Sequence, residues 1–394
     1  MLLTKQLLAF RPNKMDWIFA IKTFIAGMLA IFVSFELNMS YPIWAVGTVF
    51  VIANPYSGMT ASKSIYRLLG TLFGAIFAVA VTPHFINTPW LFVLILATWV
   101  AFCLYVSLLD RTPRSYVTML AGYTAVIICF NQVYYVDTVS IFDMALGRFL
   151  EISIGVVCSA IVTTTIFPLH LGPVVQTRVG KTMQDTKKVF DLILSDQKHQ
   201  DNYTQLLAHI ARDTSDIHTM AVHLSYEKSK FKGMTKPLQE LLHQVTMLVA
   251  NLVAMSERMK QLDEIDLGYR AYLSQFHDEV AEFISDEHDI REDELKLLPA
   301  QFEQKFAVIM RHAKAEQQVM LGSLKMDIRH FILNVRAVKL IWQRMLNGDM
   351  SLPESISPLT TNYPSLHREY GVAVRGGISA FITIFISSAI WILS

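Results

Sequence analysis

Residues 17–37 read WIFAIKTFIAGMLAIFVSFEL, a run of 21 positions in which only Lys22 and Glu36 carry a charge. A helix of roughly 20 predominantly apolar residues is long enough to cross the hydrocarbon core of a bilayer. The run is too long for the core of a signal peptide, and no small-residue cleavage site follows it. It therefore predicts a helix that crosses a membrane and is retained in the mature protein.

Further apolar runs follow the first one along the chain. Six fall within residues 1–170, and a seventh lies after a long polar interval. The second run is short and stops at Asn54 and Pro55, which is typical of a broken helix such as those found in transporters. The seven predicted segments are 17–37, 42–54, 65–81, 90–109, 116–131, 141–167 and 372–393.

The charged residues are distributed unevenly between these apolar runs and the rest of the chain. Residues 1–170 contain 15 charged side chains in 170 positions, whereas residues 171–370 contain 51 in 200. The second density is ordinary for a soluble domain and the first is far lower. In 171–370, apolar residues recur at helical spacing and no strand pattern competes. The sequence thus predicts an all-α protein, with a six-helix transmembrane domain (1–170), a cytoplasmic long-helix domain (171–370) and a further transmembrane helix (371–394).

Lys and Arg in the short loops set the expected orientation, because cytoplasmic loops are enriched in these residues. The N-terminal segment and the second and fourth connections carry them, whereas the intervening connections carry none. We therefore expect a multi-pass membrane protein with a cytoplasmic N-terminus and a cytoplasmic helical domain. The residues that carry this pattern are Lys5, Arg11, Lys14, Lys63, Arg67, Arg111 and Arg114.

Several classes of function are disfavoured by the sequence. The net charge of +1 argues against a nucleic-acid partner. Residues 180–182 read GKT, but Val175 stands where a phosphate loop needs its first glycine. His218 and His223 are five positions apart and do not share a helix face as zinc ligands do. The acidic run 278–294 is typical of a solvated face. We expect no enzyme activity, no cofactor and no metal.

Charged residues within the apolar runs are the candidates for function, because a charge at membrane depth marks a polar path or a buried pair. Lys22 either extends back to the cytoplasmic interface or meets an anion. Arg148 and Glu151, three positions apart, share a helix face. They either neutralise each other, or Arg148 meets an anion while Glu151 or Asp143 takes a proton.

Short motifs in the first 160 residues occur in an order that resembles the fusaric acid resistance family, whose members are also called aromatic acid exporters. Each motif is weak alone, and their order is the specific feature. They are FAIK at 19–22, PIWA at 42–45, NPYSG at 54–58 followed by Lys63 and Arg67, LGTLFGA at 69–75, AGYTA at 121–125, and Arg148 with Glu151, Ile152 and Gly155.

This resemblance implies an inner-membrane efflux transporter subunit that exports small aromatic carboxylic acids and is driven by the proton gradient. It also implies a periplasmic adaptor subunit and an outer-membrane channel as partners, and a homodimer is a further candidate. Family members have two membrane halves, each followed by a helical domain. By that pattern the chain holds the first half and one helix of a truncated second half.

An exported carboxylate needs cationic and aromatic contacts at depth, and the sequence offers candidates for both. Two other functions stay open, namely a passive anion channel and a membrane-anchored scaffold whose helical block 174–350 recruits partners. The candidate cationic contacts are Lys22, Arg67 and Arg148; the candidate aromatic contacts are Trp44, Tyr123 and Phe149; and the candidate proton carrier is Glu151 or Asp143.

Overall fold

The computed structural model describes residues 13–110, 112–135, 139–194, 200–226, 232–265, 300–311, 313–354, 356 and 368–393. Within these ranges all regular secondary structure is helical, which confirms the all-α fold. The described residues form two compact units, one before Leu171 together with the C-terminal helix, and one from Leu171 to residue 356. The predicted acidic face at 278–294 lies outside the described residues.

Twelve α-helices are described, and they are numbered here in chain order. The first unit contains α1 (Lys14–Glu36), α2 (Ile43–Ile52), α3 (Ser57–Phe85), α4 (Pro89–Leu109), α5 (Ser115–Tyr134) and α6 (Ile141–Thr165). The second contains α7 (Leu171–Leu194), α8 (Gln200–Ala221), α9 (Thr235–Ile265), α10 (Ala300–Arg311) and α11 (Ala315–Leu346). The C-terminal helix, α12 (Tyr370–Leu393), belongs to the first unit.

Six of the described helices, α1, α3, α4, α5, α6 and α12, are long and apolar enough to cross a membrane. The exception in the first unit is α2, which is apolar but has only ten residues. At 1.5 Å per residue it rises about 15 Å, roughly half the thickness of a bilayer core. The predicted break of the second segment therefore falls at Ala53, where α2 ends.

Local sequence explains where several of these helices begin. Asn13 caps α1, because its backbone N–H donates to Asp16 at 2.8 Å while its own side chain accepts from the first turn. Ser140 caps α6, where its hydroxyl accepts the N–H of Asp143 at 3.3 Å. Pro89 occupies the first position of α4, where a backbone N–H has no partner within the helix, so the N–H that proline lacks is not needed.

Two pairs of helices pack with their backbones nearly in contact, and glycine makes this possible. A Cβ atom on Gly155 of α6 would lie only 2.3 Å from the carbonyl oxygen of Ala45 on α2. A Cβ atom on Gly74 of α3 would lie 2.6 Å from the carbonyl oxygen of Ala121 on α5. Small residues allow such close approach between membrane helices. By contrast, α5 and α6 touch each other only sparsely.

The second unit is built from long amphipathic helices around an apolar core. Phe190 of α7 and Phe331 of α11 are both fully buried, and their rings stack with centroids 4.9 Å apart. Arg258 on α9 pairs with Asp327 on α11. Residues 300–346 form two helices, since α10 ends at Arg311 and α11 begins after its N-cap residue Lys314.

Candidate functional site

Arg148 lies about two turns from the start of α6 and is 5% exposed. Its guanidinium carbon lies 3.8 Å from the ring centre of Trp44 and 5.9 Å from that of Tyr123. Its Nε and Nη2 atoms are buried without a hydrogen-bond partner. These two N–H groups lie on one edge of the guanidinium, the edge that can bind both oxygens of a carboxylate.

Glu151 lies one turn further along α6 and is fully buried. Its Oε1 atom accepts the backbone N–H of Tyr41 at 2.6 Å, and its Oε2 atom has no hydrogen-bond partner. Among the described residues, no ion pair joins Glu151 to Arg148. Arg148 and Glu151 therefore line the same cavity without forming an ion pair with each other.

A small cavity separates these groups from α5, with a volume of about 30 Å³. This is about the space that one water molecule occupies in the liquid, whereas benzene enters an engineered cavity of about 150 Å³. An aromatic ligand therefore requires a wider form of the cavity than the one described here. The lining residues are Tyr41, Trp44, Ile128, Asn131, Met144, Arg148 and Glu151.

Arg67 is a second buried cation, 5% exposed, on α3. Its Nε atom donates to the hydroxyl of Thr48 at 3.2 Å, and its Nη1 atom donates to the hydroxyl of Tyr116 at 3.3 Å. Both partners are neutral, so they fix the position of the guanidinium without cancelling its charge.

Lys22 is the third buried cation, and the structure places it in a different crevice from Arg148. Its ammonium group donates to the carbonyl oxygen of Phe167 at 3.1 Å, just beyond the end of α6. A cation at this position favours the C-terminal end of a helix, where carbonyl groups lack partners. This contact places the ammonium group of Lys22 beside the end of α6.

The short helix α2 contacts two of these cations and holds their partners on one face. Trp44, which stacks on Arg148, and Thr48, which binds Arg67, are four positions apart and so are neighbours on the helix surface. The Thr48 hydroxyl also donates to the carbonyl oxygen of Trp44 at 2.7 Å. Since Gly155 brings α6 against this part of α2, the close packing of the two helices fixes the geometry of the cation site.

Buried charge in the first unit is unbalanced. Its described residues include three buried cations and a single buried carboxylate. Burying a charge without a partner costs free energy, so an uncompensated cation favours a bound anion. The four residues are Lys22, Arg67, Arg148 and Glu151.

The structure brings several of the sequence-predicted residues together and adds residues that the sequence did not mark. Trp44, Arg148 and Glu151 line one cavity, and Tyr123 flanks the guanidinium. Asp143 is exposed in the first turn of α6, and Phe149 does not line the cavity. The neutral residues that no sequence signal marked are Tyr41, Thr48, Tyr116, Ile128, Asn131 and Met144.

Comparison with known proteins finds relatives among membrane transporters. The chain is 36% identical over 149 residues to the uncharacterized transporter YdhK of Escherichia coli (strain K12), a match that covers 38% of this chain and 22% of the relative. It is 29% identical over 236 residues to the p-hydroxybenzoic acid efflux pump subunit AaeB of Enterobacter cloacae, covering 57% of this chain and 35% of the relative. The AaeB of Pantoea ananatis is 26% identical over 232 residues, covering 57% and 36%.

These matches span about a fifth to about a third of the length of the curated relatives. The apolar helices and the relatives together identify a multi-pass integral membrane protein. The sequence profile of the Fusaric acid resistance protein family matches residues 16–394, nearly the whole chain. With the ordered motifs around Arg67, Arg148 and Glu151, this match establishes that the chain belongs to the fusaric acid resistance protein family.

Proposed function

We propose that the chain serves efflux of small aromatic carboxylic acids across the bacterial inner membrane and is not an enzyme. The observation that carries the proposal is the free edge of the Arg148 guanidinium, buried and unpaired beside an aromatic ring. A carboxylate fits that edge with two charge-assisted hydrogen bonds. The efflux pump subunits among the relatives, named for p-hydroxybenzoic acid, support this class of substrate.

The excess of buried positive charge supports an anionic rather than a neutral substrate. Arg67 adds to the attraction for an anion at Arg148, since only neutral hydroxyls hold it. Aromatic side chains on α2 and α5 flank the guanidinium, so an acid with an aromatic ring meets apolar surface next to its carboxylate. Trp44 and Tyr123 are the residues proposed for this contact.

Energy for export is proposed to come from the proton gradient, with Glu151 as the proton carrier. Its Oε2 atom has no partner and lies in the cavity wall beside Arg148. The family resemblance further supports a periplasmic adaptor and an outer-membrane channel as partners, and a homodimer as an assembly. Lys22 is proposed to stabilise the cytoplasmic end of α6 rather than to touch the substrate.

Transport into inverted vesicles tests this function. Energised vesicles from bacteria that produce the chain are expected to accumulate labelled 4-hydroxybenzoate, and a protonophore should abolish the accumulation. Vesicles with equal amounts of the Arg148→Gln variant should show an initial rate at least about tenfold lower, because a charge-assisted bidentate contact is lost. Equal rates in the two kinds of vesicle would refute the role of Arg148.

The Glu151→Gln variant separates coupling from binding in the same vesicles. We expect it to bind 4-hydroxybenzoate while its transport rate loses its dependence on the imposed pH gradient. An unchanged dependence, at ordinary expression, would exclude Glu151 as the coupling group.

A passive anion channel is the second candidate function. The observation that favours it is the charge excess itself, since three cations against one carboxylate attract anions without any need for a proton. Steady current carried by 4-hydroxybenzoate in planar bilayers, unaffected by a pH gradient, would decide for the channel.

The proposed orientation places the N-terminus, the α4–α5 connection and the second unit in the cytoplasm. Cysteine introduced at Asn87 or Tyr135 should react with an impermeant thiol reagent in intact cells, whereas cysteine at Arg114 or Lys314 should react only after permeabilisation. All four positions are exposed, and the three native cysteines are buried. Labelling of the Lys314 position in intact cells would reverse the orientation.

A further inference from the structure

Asn131 is a polar residue at the Arg148 cavity to which the proposed function assigns no role. Asn131 lies in the last turn of α5 and lines the cavity. It is exposed, and its amide has no hydrogen-bond partner among the described residues. An amide both donates and accepts, so Asn131 offers the cavity a neutral hydrogen-bonding group.

The position of Asn131 within the bundle places it at the mouth of the cavity. Helix α5 ends and α6 begins at the same face of the first unit, because only a short connection joins them. Met144 lies in the first turn of α6 and so marks this same face. Tyr41 also lines the cavity but lies at the level of Glu151, because its backbone N–H donates to that carboxylate at 2.6 Å. Arg148 and Glu151 lie one and two turns deeper along α6 than Met144.

The two polar ends of the cavity are separated by apolar wall. Tyr123, beside Arg148, precedes Asn131 by eight residues on α5, which is about 12 Å of helix. Between these levels the cavity is lined by Ile128 and Met144. The cavity lining thus has a charged deep end with Arg148 and Glu151, an apolar middle and a neutral polar mouth.

We propose that Asn131 is a specificity-determining residue, which binds a hydrogen-bonding substituent on the substrate ring at the end opposite the carboxylate. This inference rests on the proposed function. It assigns the carboxylate to the free edge of Arg148 and the ring to the apolar middle of a wider form of the cavity, since the form described, at about 30 Å³, is too small for a ring. Acids that carry a second polar group, such as a ring hydroxyl, bind more tightly than the unsubstituted acid.

Equilibrium binding to the full 394-residue chain in lipid nanodiscs tests the assignment, with 4-hydroxybenzoate and benzoate as the two probes. The wild-type chain should bind 4-hydroxybenzoate about fivefold more tightly, which is the effect of one neutral hydrogen bond at an accessible site. The Asn131→Leu variant should lose this preference while its affinity for benzoate stays within about twofold of wild type. Asn87→Leu, at an exposed asparagine that does not line the cavity, should keep the preference.

The possible results distinguish the two proposals. Equal weakening of both acids by Asn131→Leu would mean a structural role and would overturn the assignment. Equal affinity of the wild-type chain for both acids, lost in Arg148→Gln, would overturn the assignment but keep the proposed function. Absence of binding of either acid to the folded wild-type chain would overturn both.

Discussion

Replacing Arg148 with glutamine is expected to weaken the binding of 4-hydroxybenzoate by about 100-fold in nanodiscs. The variant loses a buried guanidinium edge whose Nε and Nη2 atoms both lack a hydrogen-bond partner. Among the described residues, no other arginine has both of these atoms buried and without a partner. Removing one partner of a buried charge-assisted contact costs 2–5 kcal/mol as a general range, and each 1.4 kcal/mol is tenfold in affinity. Isothermal titration calorimetry of the purified chain measures the change directly.

Two variants control this prediction. Arg148→Lys keeps the charge but replaces the fork with a point charge, so it should recover only part of the affinity. Arg178→Gln removes an arginine of the second unit that pairs with Asp216 on the surface, and it should leave binding unchanged. Wild-type affinity in Arg148→Gln would contradict the carboxylate assignment.

Replacing Gly155 with alanine is expected to lower the thermal unfolding midpoint by about 5 °C or more, and to weaken 4-hydroxybenzoate binding as well. The new Cβ atom would lie 2.3 Å from the backbone carbonyl oxygen of Ala45 and 2.9 Å from the Cβ atom of Thr48. Backbone cannot rotate away as a flexible side chain does, so α2 must shift and Trp44 moves with it. Overpacking of this kind costs about 1–3 kcal/mol or more.

The matched control for this variant lies on the same helix. Gly147→Ala also adds one methyl group to α6, but a Cβ atom there meets nothing within 4 Å. Because alanine favours a helix more than glycine does, this variant should be neutral or slightly stabilising. A thiol-reactive dye can follow unfolding of both variants, since all three cysteines are buried in the folded chain. If both variants unfold at the same temperature, the α2–α6 contact does not stabilise the fold as inferred.

Much of the fold was predictable because membrane helices are specified locally. The apolar run 17–37 corresponds to α1 and the run 90–109 to α4, with ends that differ by a few residues at most. Asn54 and Pro55 likewise located the break after α2. In each case the signal is the hydropathy of a segment, its length or a helix-breaking residue. These features are local, so they can be recognised without knowledge of any tertiary contact.

The sequence marked the charged residues of the candidate site and two of its aromatic ones, Trp44 and Tyr123, but not the rest. Arg148 and Glu151 stand out because ionisable residues are rare in apolar segments. Thr48, Tyr116 and Asn131 are ordinary residues for a membrane helix, and their roles come from side chains 17 to 49 positions away. The expectation that Arg148 and Glu151 could neutralise each other followed from helix spacing alone. The structure instead gives Glu151 a backbone partner from the loop before α2.

The shortness of α2 also bears on how the protein is made. A ten-residue helix cannot bridge the bilayer by itself, so during synthesis α2 is not held in place by the lipid as the longer helices are. Its partners emerge later, since Arg67 follows Thr48 by 19 residues and Gly155 follows Ala45 by 110. Helix α2 therefore takes its final position only after α6 has entered the membrane. A defect in α6 that prevents this docking would leave an inserted but unassembled chain, exposed to the proteases that remove incomplete membrane proteins.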